Sequence, residues 1–166
     1  MVTNRFQKMW RYNNWAWEHV LGSISRLPEE ELHLDRGFFW GSLYGTLTHA
    51  IGAEMFWIER IKGNNPKQLF GANDYPNLQA LIEKRVDVQK EWETYLSQLT
   101  DERVFESAHY TSTEGENRQS VIADIFQHVC NHSTEHRSQM TPVLFELGVP
   151  TDELDFIFYC ILEEPV

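Results

Sequence analysis

The sequence predicts an all-α fold: a four-helix bundle with crossover connections, with a short β-hairpin between the third and fourth helices. Three observations carry this. Four segments place apolar residues at helical spacing. Glycine, proline and asparagine punctuate the chain between them. The 166 residues are 42% hydrophobic and 13% aromatic, which is enough to fill one interior. No repeat or linker divides the chain, so residues 1–166 read as a single domain.

The first helix is expected from about Asn4 to Arg26, where Phe6, Met9, Trp10, Trp15, Trp17, Val20, Leu21 and Ile24 follow helical spacing. Pro28 breaks it, "LPEEEL" suits a short turn, and "DRGFF" reads as a loop around Gly37. A second helix runs from about Ser42 to Ile61 and stops before Gly63-Asn64-Asn65-Pro66. It is apolar on most sides, which places it centrally. "PKQLFGANDYP" is a loop, and a third helix spans about Asn77 to Leu99 with one apolar stripe. In "ESAHYTSTEGENRQSV", strand-favouring Tyr110 to Thr113 meet a turn at Glu114-Gly115, so a hairpin or extended loop is expected. The fourth helix runs from about Val121 to Leu147, with a kink or break expected at Pro142 and a stop at Gly148. The tail, "TDELDFIFYCILEE", is apolar enough to pack back on the bundle.

The formal net charge is -11, with no basic run to offset it. Such a surface repels phosphate backbones and anionic lipid, so neither nucleic acid nor membrane is expected as a partner. No apolar stretch reaches transmembrane length, and the N-terminus lacks the apolar middle region of a signal peptide. Cys130 and Cys160 are far apart and form no C-x-x-C pattern. They are expected to be free thiols in a reducing, cytoplasmic setting.

"HVCNHSTEHRSQM" carries the chemistry. With His132 at the origin of a helical wheel, the apolar residues of the fourth helix fall between roughly 20° and 120°. His136, at about 40°, lies inside this stripe and His132 at its edge; His128 and Glu135 sit about 40° and 60° out on the far side. Two imidazoles one turn apart on one face can reach one metal ion. The alternative is that each finds an ordinary side-chain or water partner in the core. A third ligand is needed, and His49 in "GTLTHAIGAE" is the best candidate. Gly45, Thr46, Gly52 and Ala53 lie near it and would let a facing helix approach closely. Three histidines leave a coordination position open to water or substrate, and they suit several transition metals. His19, His33 and His109 read as solvated. His128 could be a fourth ligand, a group behind the ligands, or a rim residue. Glu135 could be a ligand, a general base or a surface acid. "HSTEH" also fits the H-x-x-E-H pattern of one class of metalloproteases. A protease of that kind needs a further downstream ligand and a cleft between lobes, and only 30 residues follow His136.

The stretch "YNNWAWEHVLGSISRLPEEELHLDRGFFWGSLYGTLTHAIGAEMFWIERIKG" resembles the N-terminal half of DinB proteins. "HVCNHSTEHRSQM", followed by "LGV" and "LDFIFY", resembles their C-terminal signature. The resemblance covers nearly the whole chain. It implies a DinB/YfiT-like four-helix bundle with crossover connections, often a homodimer, and a divalent metal held by three histidines that correspond to His49, His132 and His136. In the family pattern two adjacent histidines precede Arg and Gly. Here Glu135 replaces the first and Ser138 replaces the glycine, while His136 and Arg137 are kept. Related superfamily members are thiol-dependent transferases and isomerases, or are described as metal-dependent hydrolases; for many plain DinB proteins no reaction is assigned.

The expected function is therefore divalent-metal binding, with zinc or nickel foremost and iron, manganese or copper also suited. The ion would activate a low-molecular-weight thiol or water for transfer to, or hydrolysis of, a small electrophile, with His128 and Glu135 as candidate proton carriers. Tyr12 and Trp15 either line the pocket or pack in the core. The alternative is a non-catalytic, stress-related metal-binding or dimeric interaction module.

Overall fold

The computed structural model describes residues 1–162. Its helices are α1 (Val2–Ile24), α2 (Glu29–His33), α3 (Leu43–Ile61), α4 (Leu78–Gln98), α5 (Ile122–Glu146) and α6 (Phe156–Leu162). Strands β1 (Ser107–Thr111) and β2 (Asn117–Val121) pair antiparallel between α4 and α5, with Ser107 opposite Val121 and Thr111 opposite Asn117. The molecule is thus mostly helical with one small sheet, and the four expected long helices and the hairpin are present. Among the described residues, no helix is long and apolar enough to cross a membrane.

Helix starts follow local chemistry. Ser42 Oγ accepts from the Gly45 N–H at 3.0 Å, and Asn77 Oδ1 from the Ala80 N–H at 3.0 Å, each satisfying a donor the helix cannot. Gly148, at φ 74°, ends α5 as its position suggested. Helix α5 does not break at Pro142 but continues to Glu146. The proline removes the N–H that would bond the Ser138 carbonyl; the Thr141 hydroxyl, 3.4 Å away, donates to that carbonyl instead. The acidic turn after Pro28 is the short helix α2, and the apolar tail forms α6. Tyr159 of α6 is buried against Tyr12 and Trp15 of α1.

The core has two apolar halves. One gathers Trp10, Ile58, Val88, Trp92, Leu96 and the α5 residues Ile122 to Cys130 around Phe126. The other gathers Trp17, Val20, Ile24, Leu43, Leu47, Ile51, Leu81, Met140 and Leu144. Trp10, Trp17 and Trp92 are almost wholly buried, and truncating any one to alanine should cost about 3–5 kcal/mol. Between the halves lies a buried polar layer with a member on every long helix: Asn13 and Asn14, Glu54, Arg85, and Ser133 with Arg137. Along α1 and α5 the chain passes from the first half to the second; along α3 and α4 it passes the other way. Helices α3 and α4 therefore run in the same direction, although they are consecutive long helices. Their connection, residues 62–77, must return along the length of α3.

The polar layer is densely bonded. Glu54, 1% exposed, accepts through Oε1 from Asn13 Nδ2 (2.8 Å), Trp17 Nε1 (2.9 Å) and Ser133 Oγ (2.7 Å). Its backbone carbonyl accepts from Trp92 Nε1 at 2.9 Å. Arg85 approaches Glu54 Oε2 at 3.9 Å and donates to Asn14 Oδ1 at 2.6 Å. Arg137 donates to Asn13 Oδ1 at 2.6 Å. These bonds tie α1, α3, α4 and α5 at one level, which a purely apolar core would leave free to slide.

Candidate metal centre

Helix α3 presents His49 and α5 presents His132 and His136 across the α3–α5 contact. His49 Nε2 and His136 Nε2 each lie 3.1 Å from His132 Nε2. The three ligating nitrogens all fall within 4.8 Å of one another. His136 is buried and His132 partly open, as the wheel predicts from their places inside and at the edge of the stripe; His49, on α3, is partly open as well. His128 is exposed, its ring centroid 5.5 Å from that of His132 and edge-on to Trp57. Glu135 is exposed on the same helix. Neither joins the three-histidine cluster. His33 and His109 are exposed; His19 is partly covered by Trp15 and bonds the Trp15 carbonyl at 2.9 Å.

The arrangement suits a cation better than a shared proton. A ring nitrogen carries either one proton or one lone pair. Gln139 Oε1, 2.9 Å from His136 Nδ1, can only accept, so Nδ1 carries the proton and Nε2 turns its lone pair inward. At most one proton on His132 Nε2 would then serve two contacts of 3.1 Å. Charging the rings does not help. Burial, then the neighbouring histidines, push His132 down to about 3, and burial with His136 pushes His49 down to about 4. Neutral imidazole is the ligating form, and at neutral pH these rings hold it. With metal–nitrogen bonds of about 2.0–2.1 Å, ligand nitrogens stand roughly 2.9 Å apart at right angles and about 3.4 Å apart at tetrahedral angles. The 3.1 Å contacts of His132 with its two neighbours fall between, so the cluster could hold a metal ion.

The surroundings correct one expectation. The glycines beside His49 do not admit a facing helix. A Cβ on Gly45 would stand 2.1 Å from the Trp40 carbonyl oxygen, and one on Gly52 would meet the Phe70 backbone at 3.7 Å. Both serve loops laid on α3. At Gly45 the close approach lets the Trp40 indole stack on the His49 ring, with centroids 3.8 Å apart and planes 18° from parallel. Tyr12 and Trp15 are not at this centre; Tyr12 donates to the Leu154 carbonyl at 2.8 Å and packs on Phe156. Both cysteines are free, Cys130 buried and Cys160 partly so.

Sequence reasoning missed Gln139, Trp40 and the polar layer behind the histidines. Part of the signal was there: Ser133 and Arg137 fall in or beside the apolar stripe of α5, and Glu54 is the one acid within the otherwise apolar run from Leu43 to Ile58. A polar residue on an apolar face announces a buried partner.

Comparison with known proteins agrees with these observations. The model of the DinB family matches residues 1–165. Protein DinB of Bacillus subtilis (strain 168) is 20% identical over 162 residues, covering 93% of this chain and 93% of its own. With a match over essentially its whole length, the chain belongs to the DinB family.

Proposed function

We propose that this protein is a four-helix bundle that holds one divalent transition-metal ion through His49, His132 and His136, and that it acts as a metal-dependent enzyme on a small electrophile. The carrying observation is the convergence of three imidazole nitrogens from two helices, with 3.1 Å contacts from His132 to each of the others. Zinc or nickel suits the donor set best; iron and copper also take imidazole, and manganese, which favours oxygen donors, matches it least. His49, His132 and His136 would hold the ion, which would supply a nucleophile for transfer or hydrolysis by lowering the pKa of a thiol or water.

The chain's own residues do the rest. Gln139 holds the His136 tautomer and ring orientation. Ser133, bonded to Glu54 between the two α5 ligands, fixes α5 against α3. His128, beside His132 at the rim, is the proton carrier, with Glu135 as its acidic neighbour. The nucleophile's proton leaves along that rim. A low-molecular-weight thiol is the nucleophile in the transfer reaction and water in the hydrolytic one. The protein works in the cytoplasm, in keeping with two free cysteines, and as a homodimer.

The test is metal content by mass spectrometry on untagged protein prepared without added metal, beside His49→Ala and His132→Ala. About one ion per chain, lost in both variants, is expected, followed by turnover in a screen of thiols against small electrophiles. A chain that takes up no metal on titration refutes the proposal. Metal without any exchange of its open position would reduce it to a bracing site.

A further inference from the structure

Resting on that metal-site proposal, we infer that the cavity beside His49 selects an uncharged, flat, apolar molecule of one or two rings as the substrate. The cavity measures about 310 Å³ and is lined by Trp40, Gly45, His49, Leu69, Phe70, Gly71 and Ala72. No ionised side chain is among them. An apolar cavity of about 150 Å³ already accepts benzene, so this one has room for a substituted ring or a fused pair.

The topology explains the cavity. Because α3 and α4 run the same way, the 62–77 connection crosses back over α3 and lays Leu69 and Phe70 against Gly52, while the loop before α3 lays Trp40 on His49. The walls are thus an indole, a phenyl ring and a leucine, and His49 joins the cavity to the histidine cluster. Two charged groups lie against wall residues, outside the lining itself. Asp74 Oδ2 accepts from the Gly71 N–H at 2.6 Å, and the Lys84 ammonium lies 5.8 Å from the centroid of the Phe70 ring. A carboxylate, phosphate or ammonium entering here would lose its water and gain no ionic partner from the walls. A neutral ring loses little and stacks on Trp40 or Phe70.

The experiment uses the full chain, zinc-loaded and, for the comparison with charged probes, also metal-free so that an anion has no zinc to bind, with three probes of similar size: anisole, benzenesulfonate and benzylammonium. Binding is read by saturation-transfer NMR titration, with intermolecular NOEs locating the ring. Anisole should bind with NOEs to Trp40, Leu69 and Phe70, and the two charged probes should bind at least about tenfold more weakly. Leu69→Asp should lower anisole affinity by about tenfold while zinc stoichiometry and the thermal transition hold. Phe70→Ala should weaken it too, which covers the case of a misfolded Leu69→Asp. Equal or tighter binding of either charged probe, NOEs to other residues, or unchanged anisole affinity in both variants overturns the inference. The two proposals fail separately: zinc without anisole refutes the cavity, whereas anisole bound to a chain that takes no zinc refutes the metal site.

Discussion

Glu54→Ala is the perturbation that most directly probes how the fold holds the site. The wild-type carboxylate is 1% exposed and accepts three side-chain hydrogen bonds of 2.7–2.9 Å through one oxygen. The other oxygen faces Arg85 at 3.9 Å. Alanine would orphan donors on Asn13, Trp17 and Ser133, each worth about 1–3 kcal/mol when buried without a partner. It would also take from the buried Arg137 the carboxylate that acts on it and leave the buried Arg85 with only Glu18 and Glu93, and breaking a buried pair typically costs about 3–5 kcal/mol. These terms overlap because all share one acceptor, so they do not add. The expected loss is about 4–5 kcal/mol, a large part of the stability of a domain this size. Glu54→Gln keeps one acceptor oxygen and loses the charge, so it should lose only about 2 kcal/mol. Urea unfolding of the metal-free chain followed by circular dichroism measures both. A loss under about 1 kcal/mol for the alanine variant, or a glutamine variant as unstable as alanine, would refute the claim that this carboxylate organises the core.

Other outcomes follow from the same geometry. Gln139→Ala should leave the fold intact but weaken metal affinity by about 10–100-fold, read by competition with a chelating dye, because His136 loses the acceptor that sets its tautomer. His49 and His132 titrate near 4 and 3 in the fold but near 6.5 when unfolded, so between those values the unfolded chain binds more protons. The metal-free protein should therefore be fully supported by these rings above about pH 6.5 and lose that support as pH falls toward 4; a urea midpoint that rises on acidification across this window contradicts it. Gly45→Ala must push its Cβ against the Trp40 carbonyl, so it should displace Trp40 and lower the melting temperature, with a matching change in tryptophan fluorescence. Burial pushes the Cys130 thiol up to about 12, so a thiol reagent should label Cys160 first, and rapid labelling of Cys130 in the folded chain would contradict its burial.

The helices and the histidine pair of α5 were legible because each depends on one short pattern. Periodicity gives a helix its extent, and four-residue spacing within one stripe gives His132 and His136 their common direction. Ser42 and Asn77 were readable as helix starts for the same local reason. What stayed hidden depends on chain segments distant in sequence. Arg85 reads as one charge among many on the most charged helix, and only its neighbours Glu54 and Asn14, 31 and 71 residues away, show that it is buried. The small residues near His49 were read as room for a facing helix, and at Gly45 and Gly52 loops take that room instead. That the visitors would be Trp40 and Phe70 required knowing that α3 and α4 run the same way, which no local pattern states. The tail was legible as apolar but not as a helix, since seven residues give too few turns for a period to show.

The polar layer also bears on whether a metal here would brace the fold or serve exchange. A bracing ion joins elements that would otherwise drift, and its removal unfolds them. Here α3 and α5 are already joined by Ser133 and Glu54, and to α1 and α4 through Asn13, Trp17 and Arg85, all within the layer adjoining the histidines. The positions of the histidines are thus held by the polar layer as well as by any ion they share. Metal binding should then stabilise by simple mass action, about 2.7 kcal/mol at a hundredfold excess over its dissociation constant, and chelation should lower the melting temperature without abolishing the fold. Two partly open histidines and an apolar cavity beside them would let such an ion exchange a fourth ligand without helix rearrangement, which turnover would require and a brace would not.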